Sequence, residues 1–193
     1  MEISSLIEYF NTFLPLTEEE TAELEKRVKP KTVKRRQFIL SSGDVCKYYS
    51  FIMEGCFKMY KVDENAKEHN LHFAVENQWI TDIGSFHSEQ PSQLYIEAIE
   101  PSRILQISKQ DLIYFYEHSI KFNRIFRVIV ENEFVLLQNR LLQTISTSAE
   151  QRYLEFIELY PNLFNRISNV QVASYLGITP EFLSNIRKKL SES

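Results

Sequence analysis

The polar and apolar positions along the chain change texture more than once. Residues 3–28 read as two short helices. The second is opened by Thr17 with Glu18, Glu19 and Glu20 in its first turn, where a hydroxyl can cap free N–H groups and the helix dipole favours negative charge. Pro30 ends it. From 31 to 107 the pattern becomes short segments rich in β-branched and aromatic residues, "QFILSSGD", "YYSFIMEGCFKMYKV", "LHFAV", "LYIEAIE" and "RILQIS", divided by turn signals. Strands this short and this closely spaced predict an antiparallel roll or barrel. From Lys109 to the "YPN" at 160–162 the pattern is helical, and Phe126, Val130, Phe134, Leu137, Leu141 and Ile145 recur at steps of three and four, on one face of a long helix. That stripe suits a two-helix dimer seam. Packing on the chain's own β-domain would produce the same stripe, and the two can hold over different turns.

The closing stretch, "VASYLGITPEFLSNIRKKL", has a tighter logic. Two helices meeting at a sharp angle need a small residue where their backbones approach, a residue tolerant of positive φ in the turn, and apolar residues on both inward faces. Ala173, Gly177, and the set Val172, Leu176, Leu183, Ile186 and Leu190 supply these. Thr179 is then a natural cap for the second helix, with Pro180 at its first position and Glu181 in its first turn. The arrangement predicts a helix-turn-helix whose second helix turns Glu181, Ser184, Asn185 and Lys188 outward. Laid in a major groove, it would present the side chains at 179–185 to base edges. Asn185 could pair with adenine, Glu181 could accept from cytosine N4, and Thr179 or Ser184 could reach a base or phosphate, while Arg166, Arg187, Lys188 and Lys189 neutralise phosphates. Glu181 has a plainer reading as a helix-dipole partner.

Charge supports this placement. The 193-residue chain has a formal net charge of -4, yet residues 166–193 hold four basic against two acidic residues, a net +2, while the remaining 18 basic and 24 acidic residues give -6. Only that tail can meet a polyanion without strong repulsion. With 44% hydrophobic and 25% charged residues the chain reads as an ordinary globular protein. Its opening, "MEISSLIEYFNTFLPL", predicts no secretory leader, and no apolar run reaches the length of a membrane span, so a cytoplasmic location without membrane partners is expected. Cys46 and Cys56 are too few for a disulfide framework and read as reduced core thiols.

A β-rich domain, a long helix and a helix-turn-helix, in that order, resemble the Crp/Fnr family of transcription regulators, the cyclic-AMP receptor protein group. "SSGDVCKYYSFIMEGCFKMYK" is similar to the family's Gly-Asp turn, strand, second Gly turn and strand; "NQWITDIGSF" resembles the approach to its phosphate-binding cassette; "LYIEAIEPSRILQISKQDL" resembles the strands that follow and the entry to the dimer helix; "VQVASYLGITPEFLSNIRKKL" resembles its DNA-binding hairpin. The resemblance implies an α+β fold: a jelly-roll-like, cyclic nucleotide-binding-like β-roll with N-terminal helices over 1–108, a connecting and dimerisation helix over 109–146, and a helix-turn-helix domain over 147–193. It implies a homodimer bound to pseudo-palindromic DNA, with RNA polymerase as a further candidate partner, and no enzymatic activity.

The departures from the family bear on the ligand. Nucleotide-binding members carry a Gly-Glu pair for the ribose and an Arg about ten residues later for the cyclic phosphate. Here Thr81 and Asp82 occupy the pair and Ser92 and Gln93 stand where the Arg and its neighbour would be, with no Lys or Arg between 80 and 102. A degenerate pocket is expected, without cAMP, because a buried phosphate would lack its bidentate partner. No cofactor is expected: an iron–sulfur cluster needs more cysteines, and His69 and His72, three apart in a strand region, point to opposite faces, so His69, His72, His87 and His118 are expected to be solvated or in turns. An unidentified small-molecule effector remains compatible. Asn185 and Pro180 stand where many members carry other reading residues, so the target sequence is not inherited. The short "YPNLFNRIS" before the hairpin predicts a shortened β-hairpin. Two other readings fit parts of the chain: a β-roll sensor or scaffold whose C-terminal hairpin binds a protein, and a cupin-like metalloenzyme, for which "HNLH" has the wrong spacing and no phosphate loop, nucleophile elbow or paired-carboxylate motif appears.

Overall fold

A computed structural model describes residues 3–192. Two helices come first, α1 (Ser4–Asn11) and α2 (Glu18–Arg27). Thr17 opens α2 through a capping box: its hydroxyl accepts from the Glu20 N–H at 3.2 Å, and the Glu20 carboxylate accepts from the Thr17 N–H at 2.8 Å. The strands follow as β1 (Lys29–Val33), β2 (Phe38–Leu40), β3 (Tyr48–Glu54), β4 (Phe57–Val62), β5 (Glu68–Ala74), β6 (Trp79–Ile80), β7 (Tyr95–Ala98) and β8 (Ser102–Ser108), with helix α3 (Ile83–Ser88) between β6 and β7. They form two four-stranded sheets, ordered β1-β8-β3-β6 and β2-β7-β4-β5. The registered pairs are antiparallel, giving the double-sheet roll that the strand texture predicts. Helices α4 (Lys109–His118), α5 (Ile120–Ser146) and α6 (Ala149–Leu159), a 3-10 turn at Leu163–Asn165, and helices α7 (Asn169–Leu176) and α8 (Pro180–Ser191) complete the α+β chain. No helix among the described residues is long and apolar enough to cross a membrane.

Three local features differ from the sequence expectation. Pro30 does not merely end a helix; it lies inside β1, opposite Leu105. The sheet tolerates it because β1 is an edge strand bonded only to β8, so a missing N–H breaks no second ladder. The helical stretch from Lys109 is three helices, broken at Ser119, whose extended backbone ends α4 and whose hydroxyl accepts from the Phe122 N–H at 3.3 Å, and again before α6, which Ser148 caps. The segment before α7 holds the single 3-10 turn and no strand, so the shortened β-hairpin expected there is not formed.

The chain divides into two compact units: residues up to Met59 with Phe73–Val130, and Tyr60–His72 with residues from Glu131 onward. The first unit encloses one apolar core in which Leu6 and Phe10 of α1, Leu24 of α2, Phe51 and Ile52 of β3, and Ile104 and Leu105 of β8 are all fully buried. Aromatic rings knit it together, with Phe10 5.6 Å and Trp79 5.8 Å from the Phe126 ring. The β3–β4 turn is closed by Gly55, at φ +107°, where an added Cβ would stand 2.8 Å from the Ser102 Cα. The second unit packs Tyr153 and Phe156 of α6, Tyr160 and Leu163 after it, Val172, Ala173 and Leu176 of α7, and Leu183 and Ile186 of α8, all buried.

Candidate nucleic-acid interface

The last two helices are built as the sequence suggests. Ser168 caps α7, accepting from the Gln171 N–H at 3.3 Å while the Gln171 side chain accepts from the Ser168 N–H at 2.9 Å. Helix α7 stops at Gly177, in the left-handed region at φ 69° and ψ 32°, and the next amide, Ile178 N–H, closes back onto the Ala173 carbonyl at 3.0 Å. A Cβ at Gly177 would meet nothing, so backbone conformation and not space selects glycine there. Thr179 caps α8, accepting from the Phe182 N–H at 3.2 Å, with Pro180 at the first helical position. Ala173 is buried where the helices approach, and Leu183 and Ile186 face inward with Val172 and Leu176; Leu190 is half-buried.

The outward side of α8 exposes Thr179, Glu181, Ser184, Asn185, Lys188 and Lys189, with Pro180 and Arg187 half-buried. Their chemistry is unequal. The Glu181 carboxyl is held below the usual carboxylate range by hydrogen bonds from its own backbone N–H and from Thr179, so in the free protein its charge is turned onto the helix N-terminus. Ser184 donates to the Pro180 carbonyl at 2.9 Å. Arg187 donates to the Asn169 side-chain oxygen at 2.8 Å and lies 4.4 Å from the Phe164 ring centre, and Lys189 pairs with Glu150 at 2.7 Å. Arg166 is half-buried. Asn185 and Lys188 are left as the outward polar side chains best placed to reach out. Sequence reasoning missed Phe182, which is 51% exposed on the first turn of α8, and Val170, exposed at the start of α7. An inward-outward division of the helix leaves position 182 on its flank; an aromatic residue outside the apolar stripe was the available signal.

The stripe on α5 divides in two. Phe126, assigned by its spacing to a dimer seam, is only 1% exposed and belongs to the first unit's core against Phe10, Trp79 and Tyr116. Its phase on the helix is that of Phe122, Ile125 and Ile129, which are buried with it, so intramolecular packing takes these turns. Val130 is half-buried. Beyond it Phe134, Leu137, Leu141 and Ile145 are 66%, 64%, 60% and 73% exposed; Val135, Leu136 and Leu142, on other sides of the helix, are exposed too.

The degenerate pocket residues also come partly together. Asp82 caps α3 through one carboxylate oxygen, which accepts from the Gly84 and Ser85 N–H groups at 3.1 and 3.2 Å, and its other oxygen accepts from the Ser92 hydroxyl at 2.6 Å. Thr81 donates to the Tyr48 carbonyl at 3.2 Å beside the Cys46 sulfur, and Gln93 is exposed. Of these four positions, Asp82 and Ser92 are spent on one another. A fixed carboxylate covers the helix N-terminus that an anion would use. Inside the roll Lys58 is buried against Glu97 at 3.2 Å. These groups do not fit a bound cyclic phosphate.

The histidines are scattered. His69 pairs with Asp63 at 2.7 Å, His118 stacks on Tyr114 with ring centres 4.1 Å apart, His87 is exposed, and burial, then the nearby Arg140 guanidinium, push His72 down to about 4. Among the described residues no group of three or more His, Cys, Asp or Glu could hold a metal ion.

Residues 30–119 match the family model of the cyclic nucleotide-binding domain. Among solved structures the chain is similar to FixK2 from Bradyrhizobium japonicum (16% identity, 86% of this chain and 85% of that one, TM-score 0.73). It is similar to a protein from Eubacterium rectale assigned to the Crp/Fnr family of transcriptional regulators (15% identity, 95% and 88%, TM-score 0.71). A cyclic nucleotide-binding domain containing protein from Listeria monocytogenes is also similar (18% identity, 100% and 91%, TM-score 0.70). No curated protein matches the sequence.

Proposed function

We propose that this chain, with a cyclic nucleotide-binding-type β-roll and the overall fold of Crp/Fnr-type regulators, is a homodimeric, sequence-specific DNA-binding transcription regulator that does not answer to cyclic AMP. The observation that carries the reading is the closing helix pair: a left-handed glycine turn, a capped second helix, and a second helix whose outward side presents Asn185, Ser184 and Lys188. Laid in the major groove, α8 brings Asn185 to a base edge, where its amide can pair with adenine N6 and N7. Phe182, on the flank of the same turn, offers an apolar surface to a thymine methyl. No Arg or Lys lies between Thr179 and Ile186, so guanine is not the base this helix is made to read. Lys188, with Arg187 and Lys189 once they exchange their internal partners, neutralises phosphates.

The exposed half of the α5 stripe supports a two-fold dimer, since an apolar row this long on one helix face finds its natural cover in a second copy. Two reading helices then meet half-sites about one helical turn apart, roughly 34 Å. The β-roll is the sensory or dimer-supporting module, in the cytoplasm where the DNA is. Its Asp82–Ser92 contact argues against a cyclic nucleotide as effector, and an effector of other chemistry would act by biasing the setting of the paired helices. RNA polymerase becomes a partner if the bound dimer activates.

Selection of bound duplexes from a random-sequence pool tests the reading. The expected result is a two-fold symmetric site with adenine and thymine at the recognised positions and binding that weakens steeply with salt. Enrichment of no sequence, or salt-insensitive capture, would favour a hairpin that binds protein instead.

A further inference from the structure

The hairpin made by β4 and β5 ends in a turn organised by Asp63. Asp63 accepts from the Asn65 and Lys67 N–H groups at 2.8 and 3.0 Å, and its second oxygen pairs with His69. Strand β5 is the last strand of its sheet, so one side of its backbone has no ladder partner. Edge strands are covered or charged in stable proteins, and here the cover is the helix-turn-helix. The Asn70 N–H donates to the Ser174 hydroxyl at 3.0 Å, and that hydroxyl donates to the Glu68 carbonyl at 2.7 Å. The Asn70 amide donates to the Gln171 carbonyl at 3.1 Å. Gln171 and Ser174 are both on α7, the helix that braces the reading helix.

Arg140, from the second half of α5, closes the arrangement. One of its terminal nitrogens donates both to the Asn70 carbonyl at 2.9 Å and to the Tyr175 carbonyl at 3.0 Å, and its guanidinium stacks 3.9 Å from the Tyr175 ring centre. Tyr175 in turn packs on Phe156 of α6, 5.2 Å between centres. One side chain thus joins three elements: the dimer-seam helix, strand β5 and the last turn of α7. The backbone and side-chain hydrogen bonds carry the connection beside this ring packing, and the buried Asn70 side-chain oxygen has no partner in it, which offsets part of what the contacts contribute. Hydrogen bonds are directional, so these contacts constrain the orientation of α7 more narrowly than apolar packing would.

We infer that Arg140 and Asn70 are positioning residues of the DNA-reading apparatus, fixing the angle at which α7 and α8 stand on α5 and so the distance between the two reading helices of a dimer. The inference rests on the reading of the protein as a dimeric DNA binder. It has a signature that simple destabilisation lacks. Altered orientation changes which spacing between half-sites is accepted, whereas base preference within each half-site belongs to α8 and stays.

The test repeats the random-pool selection with the full chain as wild type, Arg140→Ala, Arg140→Lys, Ser174→Ala and, as the contrasting variant, Asn185→Ala. For Arg140→Ala the expected result is an unchanged half-site, a spacer no longer confined to one length, and about tenfold weaker binding to the best-spaced site, the equivalent of one or two lost charge-assisted hydrogen bonds. Lysine restores part of this, since it can donate to a carbonyl but cannot stack as a plane. Ser174→Ala, which removes one hydroxyl and leaves the apolar packing intact, broadens the spacer in the same sense and decides the matter if Arg140→Ala does not fold. Asn185→Ala changes the half-site and leaves the spacer. An unaltered spacer distribution in the folded Arg140 and Ser174 variants overturns the inference, as does a changed half-site, which would make Arg140 a direct reader. If wild type itself enriches nothing, the functional reading falls and takes this inference with it.

Discussion

Leu141 offers the sharpest quantitative test of the dimer. It stands 60% exposed on α5, one turn from Leu137 and one from Ile145, in the stretch where the stripe has left the core. Truncation to alanine removes three carbon groups. At about 0.8 kcal/mol per buried CH2, scaled by the exposed fraction, that is about 1.4 kcal/mol for each protomer; the two-fold axis doubles it to about 3 kcal/mol, roughly a hundredfold in the dimer dissociation constant. Because the side chain is exposed in the single chain, the stability of the protomer should hardly move. Sedimentation equilibrium across a concentration series measures the constant, with Asn139→Ala, exposed on the opposite side of the same helix, as the control. A dimer equally tight in Leu141→Ala and Asn139→Ala would refute the seam, and a wild type monomeric at every concentration would refute the dimer.

Other consequences can be checked in parallel. Asn185→Ala should lose roughly 1–3 kcal/mol on the best site and relax preference at a single base pair, read by competition binding against a panel of substituted duplexes. Replacing thymine by uracil opposite Phe182 should weaken wild-type binding by about 0.8 kcal/mol, one methyl group, and leave Phe182→Ala indifferent; an equal loss in both would remove Phe182 from the readout. Gly55→Ala should destabilise the β-roll by about 1–3 kcal/mol in denaturant titration, because it combines a strained φ with a clash against the Ser102 backbone. His72, held near 4 in the folded chain against an ordinary 6.5, refuses a proton that the unfolded chain accepts between those values. Stability should therefore fall as pH drops from about 6.5 towards about 4, by roughly 3 kcal/mol at the bottom of the window, and His72→Gln should flatten that slope in denaturation curves taken across it.

Much of this protein is written in local pattern. The Thr17 cap with its acidic first turn, the alternating short strands, Gly177 with Thr179 and Pro180 behind it, and the inward set Val172, Leu176, Leu183 and Ile186 all depend on neighbours within a few residues, where spacing and backbone preference decide the outcome. The lack of any Lys or Arg between residues 80 and 102 is legible there too, as missing positive charge.

What the tertiary structure decided depends on partners far apart in sequence. Period alone cannot tell which turns of an amphipathic helix are covered by the same chain: the core of the first unit claims Phe126 and leaves Phe134 to Ile145 bare. Pro30 can sit in a strand only because β1 is an edge. The bond between Asp82 and Ser92 and the pairing of Lys189 with Glu150 require side chains that no local rule brings together. Arg140 carries no mark in the sequence at all, since its meaning comes from the open backbone of β5 and the last turn of α7 arriving beside it. Short-range preference sets the elements, and the unmet hydrogen bonds and apolar faces they leave over set which distant residues must meet.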